Sequence, residues 1–255
     1  MDAGSSKSTK RRLATEAAGS LSVGGLTALS TTDYPGRLAA VIFCQGCPWR
    51  CAYCHNPHLL PRRTRHSERV NSWAAVTAFL ERRRGLLDAV VFSGGEPTLH
   101  AGLPAAIRAV KDMGYAVGLH TAGIHPRRLR AVLPLLDWVA MDVKAPLDDY
   151  ARITGVAGSG ERALDSMMQI IASGVAHEFR TTVHPDLLTR DAILDITRTL
   201  QFHGARCYAL QEFRAQGCSE GRLKSEAPTR PVDPALLHVV SSRFETFEVR
   251  RSTFS

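Results

Sequence analysis

The sequence predicts an α/β fold: an incomplete barrel of six β–α units, with a parallel sheet inside and helices outside. Three observations lead there. Short apolar runs alternate six times with amphipathic helical patterns, as parallel strands joined by crossover helices require. Gly114, Gly174 and Gly204 stand where helical patterns stop, the usual place for a C-terminal cap. Each apolar run also ends in polar residues, so the strands deliver their functional groups to one end. Eight such units close a barrel; six leave it open on one side. The crossovers are expected to be right-handed.

The elements follow in order. Residues 38–43 read as the first strand. Ser72 caps a helix running to residue 81, with Trp73, Val76, Phe79 and Leu80 on one face. Residues 89–92 are a second strand. Residues 103–113 are helical and stop at Gly114. Residues 115–119 are a third strand, and 126–133 a helix with Pro126 at its start. Residues 138–141 are a fourth strand, 161–173 a helix closed by Gly174, and 178–183 a fifth strand. Residues 191–202 form a helix ending at Gly204, and 207–210 the sixth strand. A last helix covers 234–243, and 244–249 is a final strand.

A chain of 255 residues with 44% hydrophobic residues buries one sizeable core, so residues 21–255 are expected as a single domain. Residues 1–20 are rich in Ser, Ala, Gly, Lys and Arg and are expected as a disordered basic arm. The arm lacks the apolar stretch of a secretory signal, and no apolar run reaches membrane-span length. Six cysteines in a chain this long do not make a disulfide framework. They read as reduced thiols in a cytoplasmic protein. The net charge of +8 gathers partly at Lys7, Lys10, Arg11 and Arg12, at Arg62, Arg63, Arg65 and Arg69, and at residues 82–84. These stretches lack interleaved aromatics and match no nucleic-acid-binding motif. A solvated basic surface facing an acidic protein or an anionic ligand is expected, rather than a nucleic-acid site.

Cys47, Cys51 and Cys54 are spaced C-x3-C-x2-C. A cubane iron–sulfur cluster normally takes four thiolates. Three leave one iron open to a small-molecule ligand, which suits a cluster that does chemistry. The alternative is a Cys3His zinc knuckle using His55 or His58, although zinc sites usually pair two spaced ligand couples. Cys44 ends the first apolar run and is expected as a packed thiol. After the second strand comes Ser93-Gly94-Gly95-Glu96-Pro97. Its paired glycines let a ligand approach the backbone and free N–H and C=O groups to bind it, while Glu96 is available to pair with a cationic amine. The other strands contribute His120 and Thr121, Asp142 and Lys144, His184, then Gln211 and Glu212. Asp142 and Lys144 are expected to point opposite ways, one facing the site while the other packs or pairs. Six strand ends with polar groups in register imply one site at the barrel mouth.

These residues resemble the radical S-adenosylmethionine superfamily. The resemblance rests on Cys47-x3-Cys51-x2-Cys54 with Tyr53 before the last cysteine, and on Gly94-Gly95-Glu96. Asp33-Tyr34-Pro35-Gly36, Gln45-Gly46-Cys47 and Arg50 through Asn56 are similar to glycyl-radical-enzyme activases. Ser30 through Gly36 and Met141 through Pro146 are most similar to the longer activating proteins of anaerobic ribonucleoside-triphosphate reductase. The resemblance runs from about Gly24 to Arg214 and implies a radical-SAM-type partial barrel. It implies that Cys47, Cys51 and Cys54 hold one [4Fe–4S] cluster. It also implies that S-adenosylmethionine binds the fourth iron, with Glu96, Gly94 and Gly95 orienting its amine and Tyr53 near its adenine. Asp142, Lys144 and His184 would contact its methionine or ribose. The partners implied are a glycyl radical enzyme, most closely the anaerobic reductase, and reduced flavodoxin or ferredoxin as electron donor. The same chemistry on a pyruvate formate-lyase type partner, or on a small molecule as in deazapurine synthases, is the alternative. A non-enzymatic zinc or iron–sulfur module with a basic nucleic-acid surface is an alternative of another class. No side chain is assigned as a catalytic acid or base. Many activases carry Asp-Thr-Asn-Gly after the third strand. This chain has His120-Thr121-Ala122-Gly123, so the acid that helps bind a monovalent cation there is missing.

Overall fold

The computed structural model describes residues 18–62, 72–225 and 232–251. Eight strands lie in one sheet in chain order: β1 (Val23–Ser30), β2 (Ala39–Cys44), β3 (Ala89–Gly94), β4 (Ala116–Thr121), β5 (Trp138–Asp142), β6 (Ala176–Val183), β7 (Cys207–Glu212) and β8 (Thr246–Arg250). The six strands β2 to β7 are parallel, as the alternation predicts, and β8 adds a seventh parallel strand. The antiparallel β1 was not predicted. Its segment carries Gly24 and Gly25 and lacks the apolar alternation that marks a strand. The two ends of the sheet, β1 and β8, do not pair, so the barrel stays open.

The helices α1 (Trp73–Glu81), α2 (Leu103–Asp112), α3 (Pro126–Val132), α4 (Tyr150–Thr154), α5 (Ser159–Ser173), α6 (Arg190–Phe202), α7 (Gly221–Ser225) and α8 (Pro234–Ser241) join the strands. Ser72 caps α1 by accepting from the Ala75 N–H at 3.2 Å, and Trp73, Val76 and Leu80 are buried. Helices α4 and α7, five residues each, are too short to show a helical period and were not predicted.

Side chains alternate across each strand. One face, with Ile42, Phe92, Leu119, Met141, Phe179 and Leu210, packs into the main core with the helices. The other face lines the barrel. Near the strand starts it is plugged by Tyr34, Ala39, Val41, Ala89, Val91, Trp138 and Ala140. On β6 and β8 it carries Glu178, Arg180, Glu248 and Arg250 instead. The expected arm lies outside the described residues up to position 17. Ala18 is fully buried, so the packed body begins before the expected boundary at residue 20. Among the described residues no helix is long and apolar enough to cross a membrane.

Candidate functional site

The cysteine loop leaves β2 at the C-terminal mouth of the barrel and is tied down along its length. Gly46 N–H donates to Leu59 C=O at 2.7 Å and Cys47 N–H to Leu60 C=O at 3.1 Å. Arg50 and Ala52 N–H donate to Thr154 and Ile153 C=O. The Gln45 amide, buried, bridges the carbonyls of His58 and Pro61. Trp49 is buried edge-on to Tyr150. Within this frame Cys47, Cys51 and Cys54, all half-buried, line one cavity of about 210 Å³. Cys44 is fully buried and does not line it, as expected of a packed thiol.

Burial pushes all three lining thiols up, Cys47 to about 12. They hold their protons until a metal displaces them, so loading the site releases protons. Among the described residues no three His, Cys, Asp or Glu side chains meet around a single ion. The thiols are instead set around the cavity wall. A four-iron cluster takes each thiolate on a different iron, so its ligands need not converge on a single ion. The donor set and the room fit such a cluster.

Gly94 and Gly95 also line the cavity. Gly94 has φ 111°, and a Cβ there would sit 2.4 Å from Cys44 N; a Cβ on Gly95 would sit 2.3 Å from the Gly46 carbonyl oxygen. Backbone cannot yield to such contacts, so glycine lets the end of β3 lie against the cysteine loop. The expectation that this turn frees N–H groups for a ligand needs correction. Gly95 and Glu96 N–H donate to Cys44 and Gly46 C=O, both at 2.9 Å. These amides hold the cysteine loop.

Glu96 departs from expectation in the same way. Its side chain is fully buried and does not line the cavity. The carboxylate accepts from Thr98 N–H (3.1 Å), Thr98 Oγ1 (2.6 Å), Thr121 Oγ1 (2.8 Å) and Ala122 N–H (2.9 Å). Burial pushes its pKa up against these four bonds. Turned between β3 and β4, it fixes Thr121 and Ala122, which do line the cavity. His184 is likewise spent inside the protein. Its Nδ1 accepts from Asp186 N–H, so Nε2 carries the proton toward Leu223 C=O. The ring packs edge-on to Phe213 and does not line the cavity.

Asp142 and Lys144 do not point opposite ways. Positions two apart share a face, and both line the cavity. Lys144 Nζ lies 3.3 Å from Asp142 Oδ2 and sits over the Tyr53 ring, 5.4 Å from its centroid. Burial works to lower the Lys144 pKa, but Tyr53 and Asp142 hold it above the usual lysine range. Asp142 is pushed up by burial, yet Lys144 and Arg180 hold it below the usual carboxylate range. Tyr53 itself is buried on the cavity wall.

The sequence reading missed Arg180, Thr182 and the lining role of Asp33. The signal for Arg180 was present: charged Glu178 and Arg180 alternate with apolar Phe179 in a buried strand, which requires a polar barrel interior. Arg180 is 7% exposed, and its Nε, 3.5 Å from Asp142 Oδ1, lacks a hydrogen-bond partner. His120 takes the position of the missing acid. Its Nε2 donates to Asp33 C=O at 2.8 Å, and Nδ1 faces Ser93 Oγ at 3.3 Å. Burial first, then Arg180, pushes its pKa down to about 3, so the ring is neutral.

The cavity opens through Asp33, His55, Arg180, Thr182 and Gln211 into a larger groove of about 1210 Å³ along the unclosed side of the sheet. Its floor carries a fork in which both Arg250 Nη atoms meet Glu178 at 2.8 Å.

Comparison with known proteins bears on this geometry. The family model described as the Radical SAM superfamily matches residues 41–200. A Methanocaldococcus jannaschii protein described as a candidate glycyl-radical enzyme activating enzyme is 32% identical over 209 residues, covering 79% of this chain and 84% of its own. The pyruvate formate-lyase-activating enzyme of Clostridium pasteurianum is 30% identical over 169 residues, covering 64% and 68%. The crystal structure of QueE from Escherichia coli superposes with a TM-score of 0.54 at 16% identity, covering 92% of this chain and 94% of that one, and so shares the fold.

Proposed function

The chain belongs to the radical SAM superfamily, enzymes that use a [4Fe–4S] cluster and S-adenosylmethionine, and from that premise we propose that it activates a glycyl radical enzyme, the anaerobic ribonucleoside-triphosphate reductase. The observation that carries the reading is the run of space from the three thiols into a groove open along the side of the barrel. An enclosed pocket suits a small molecule; a lateral groove leaves room for a segment of a large partner. The names of the relatives from M. jannaschii and C. pasteurianum support activation of a glycyl radical enzyme. The reductase as partner rests on the strings around Asp33 and Asp142.

When bound, the cluster and S-adenosylmethionine supply a radical able to take a hydrogen atom from an unactivated C–H bond. The residues of this chain hold and orient. Cys47, Cys51 and Cys54 give up their protons to hold the cluster. The Gly94-Gly95 turn brings the cavity wall close, and Glu96 keeps Thr121 and Ala122 in place behind it. Asp142 and Lys144 present a fixed charge pair to the amino-acid part of the cofactor, with Tyr53 beneath the ammonium. Burial of Lys144 strengthens its contacts by excluding water. No general base is needed, because a hydrogen atom carries its own proton and electron.

The test is anaerobic incubation of the reconstituted protein with S-adenosylmethionine, a reductant and the reductase, read by electron paramagnetic resonance. A glycyl radical on the reductase is expected. A radical that forms only on a pyruvate formate-lyase type partner overturns the choice of partner; 5′-deoxyadenosine without a radical on either partner overturns activation.

A further inference from the structure

We propose that the outer face beside the cysteine loop, built from Arg62, Arg128 and Arg162, docks a small acidic one-electron carrier protein that reduces the cluster. The inference rests on the radical SAM reading above.

Three observations carry it. First, these arginines are exposed, and among the described residues none has a carboxylate partner. Some exposed arginines on other faces do, Arg84 with Glu81, Arg152 with Asp149 and Arg198 with Asp195, while Arg82 and Arg83, exposed on another face, are not paired with a described carboxylate either. Second, the three converge. The charged groups acting on His125 are Arg128, Arg162 and Arg62, and those acting on His100 are Arg128 and Arg62. The Nε2 atoms of both histidines are buried without a partner. Among the described residues no acidic group is among the charges acting on either histidine. Third, it borders the cluster-holding loop. Arg62 packs against Gly46, the residue before Cys47, and Arg128 donates to the carbonyls of Thr98 and Leu99, just past the Gly94–Glu96 turn.

Like charge gathered on one face without a carboxylate beside it costs stability. It does steer an oppositely charged partner and speed encounter. None of these residues lines the lateral groove, so a carrier seated here leaves that groove open to the substrate enzyme. In the step itself the carrier loses one electron and the cluster gains it; no bond forms or breaks. The short distance from Arg62 to the Cys47 loop makes this face a direct route inward.

The probe is an acidic flavodoxin, with affinity for the cluster-loaded protein measured at about 0.05 M and about 0.5 M salt. Wild-type protein is expected to bind at low salt and to lose most of its affinity at high salt. R62E/R162E is expected to bind roughly tenfold more weakly or worse at low salt. It should keep its melting temperature and its cleavage of S-adenosylmethionine with dithionite, which needs no docking. R82E/R83E, on another face, should bind like wild type. Unchanged flavodoxin affinity in R62E/R162E overturns the proposal. So does a single-stranded DNA oligonucleotide that binds this face in place of flavodoxin. If wild-type protein fails to cleave even with dithionite, the reading of the cluster fails, while the binding measurement still decides the docking face.

Discussion

Replacing Glu96 by Gln separates two roles for the most buried carboxylate near the site. Oε1 accepts from Thr98 N–H, Thr98 Oγ1 and Thr121 Oγ1; Oε2 accepts from Ala122 N–H. An amide can keep its oxygen at one position only. With oxygen at Oε1, three bonds survive in weaker, neutral form, and the amide NH2 then faces the Ala122 N–H. A hydrogen bond to a charged group is worth about 1.5–3 kcal/mol. Relief from burying a charge, which pushes the Glu96 pKa up, offsets part of the loss. A net cost of about 2 kcal/mol lowers the melting temperature by roughly 4–8 °C in a domain of this size. The assay is a melting curve on Glu96→Gln, with iron content and S-adenosylmethionine affinity measured on the reconstituted protein. Lowered stability, full iron loading and a modest drop in affinity are expected, since Thr121 and Ala122 lose their anchor. Glu96→Ala strands four donors at once and should be markedly less stable. An unchanged melting temperature with a selective collapse of cofactor affinity would refute the argument and return this carboxylate to the amine.

Cys47→Ala, Cys51→Ala and Cys54→Ala should each lose iron and sulfide after anaerobic reconstitution, whereas Cys44→Ala, Cys207→Ala and Cys218→Ala should load fully; a loaded Cys51→Ala protein contradicts the ligand set. Gly95→Ala forces a methyl group to within 2.3 Å of the Gly46 carbonyl oxygen, so it should unseat the cysteine loop and depress both stability and iron content; normal loading would show that the loop yields. His120 is protonated from pH 6.5 downward in the unfolded chain but only near pH 3 in the fold. The unfolded state therefore binds the extra proton across that window, and stability falls as pH falls, by up to about 1.4 kcal/mol per pH unit. His120→Gln should flatten the acid limb of a stability–pH curve, and an unaltered limb would assign that slope to other groups.

The parallel strands were legible because apolar runs and capping glycines mark them without reference to the rest of the fold. β1 was not, because Gly24 and Gly25 erase its pattern and its pairing with β2 supplies what its own residues lack. That the three cysteines share one cavity was legible from their spacing alone. The direction of Glu96 was not, since it depends on Thr121 and Ala122, which sit 25 and 26 residues away in sequence and are brought near only by the β3–β4 crossover. His184 was hidden for the same reason, its proton being claimed by Leu223, 39 residues on. Arg180 could have been found: a buried strand that alternates charge with phenylalanine has only one way to face.

The missing contact between β1 and β8 changes what kind of object can reach the centre of the molecule. A sealed ring is entered only from its rim, so a polymer must offer a loose tip or be bent into a hairpin narrow enough for the hole. A slit ring has no such topological demand. A strand anchored at both ends can be laid in sideways, treated at one interior residue and lifted out again, with neither terminus moving and no covalent cut.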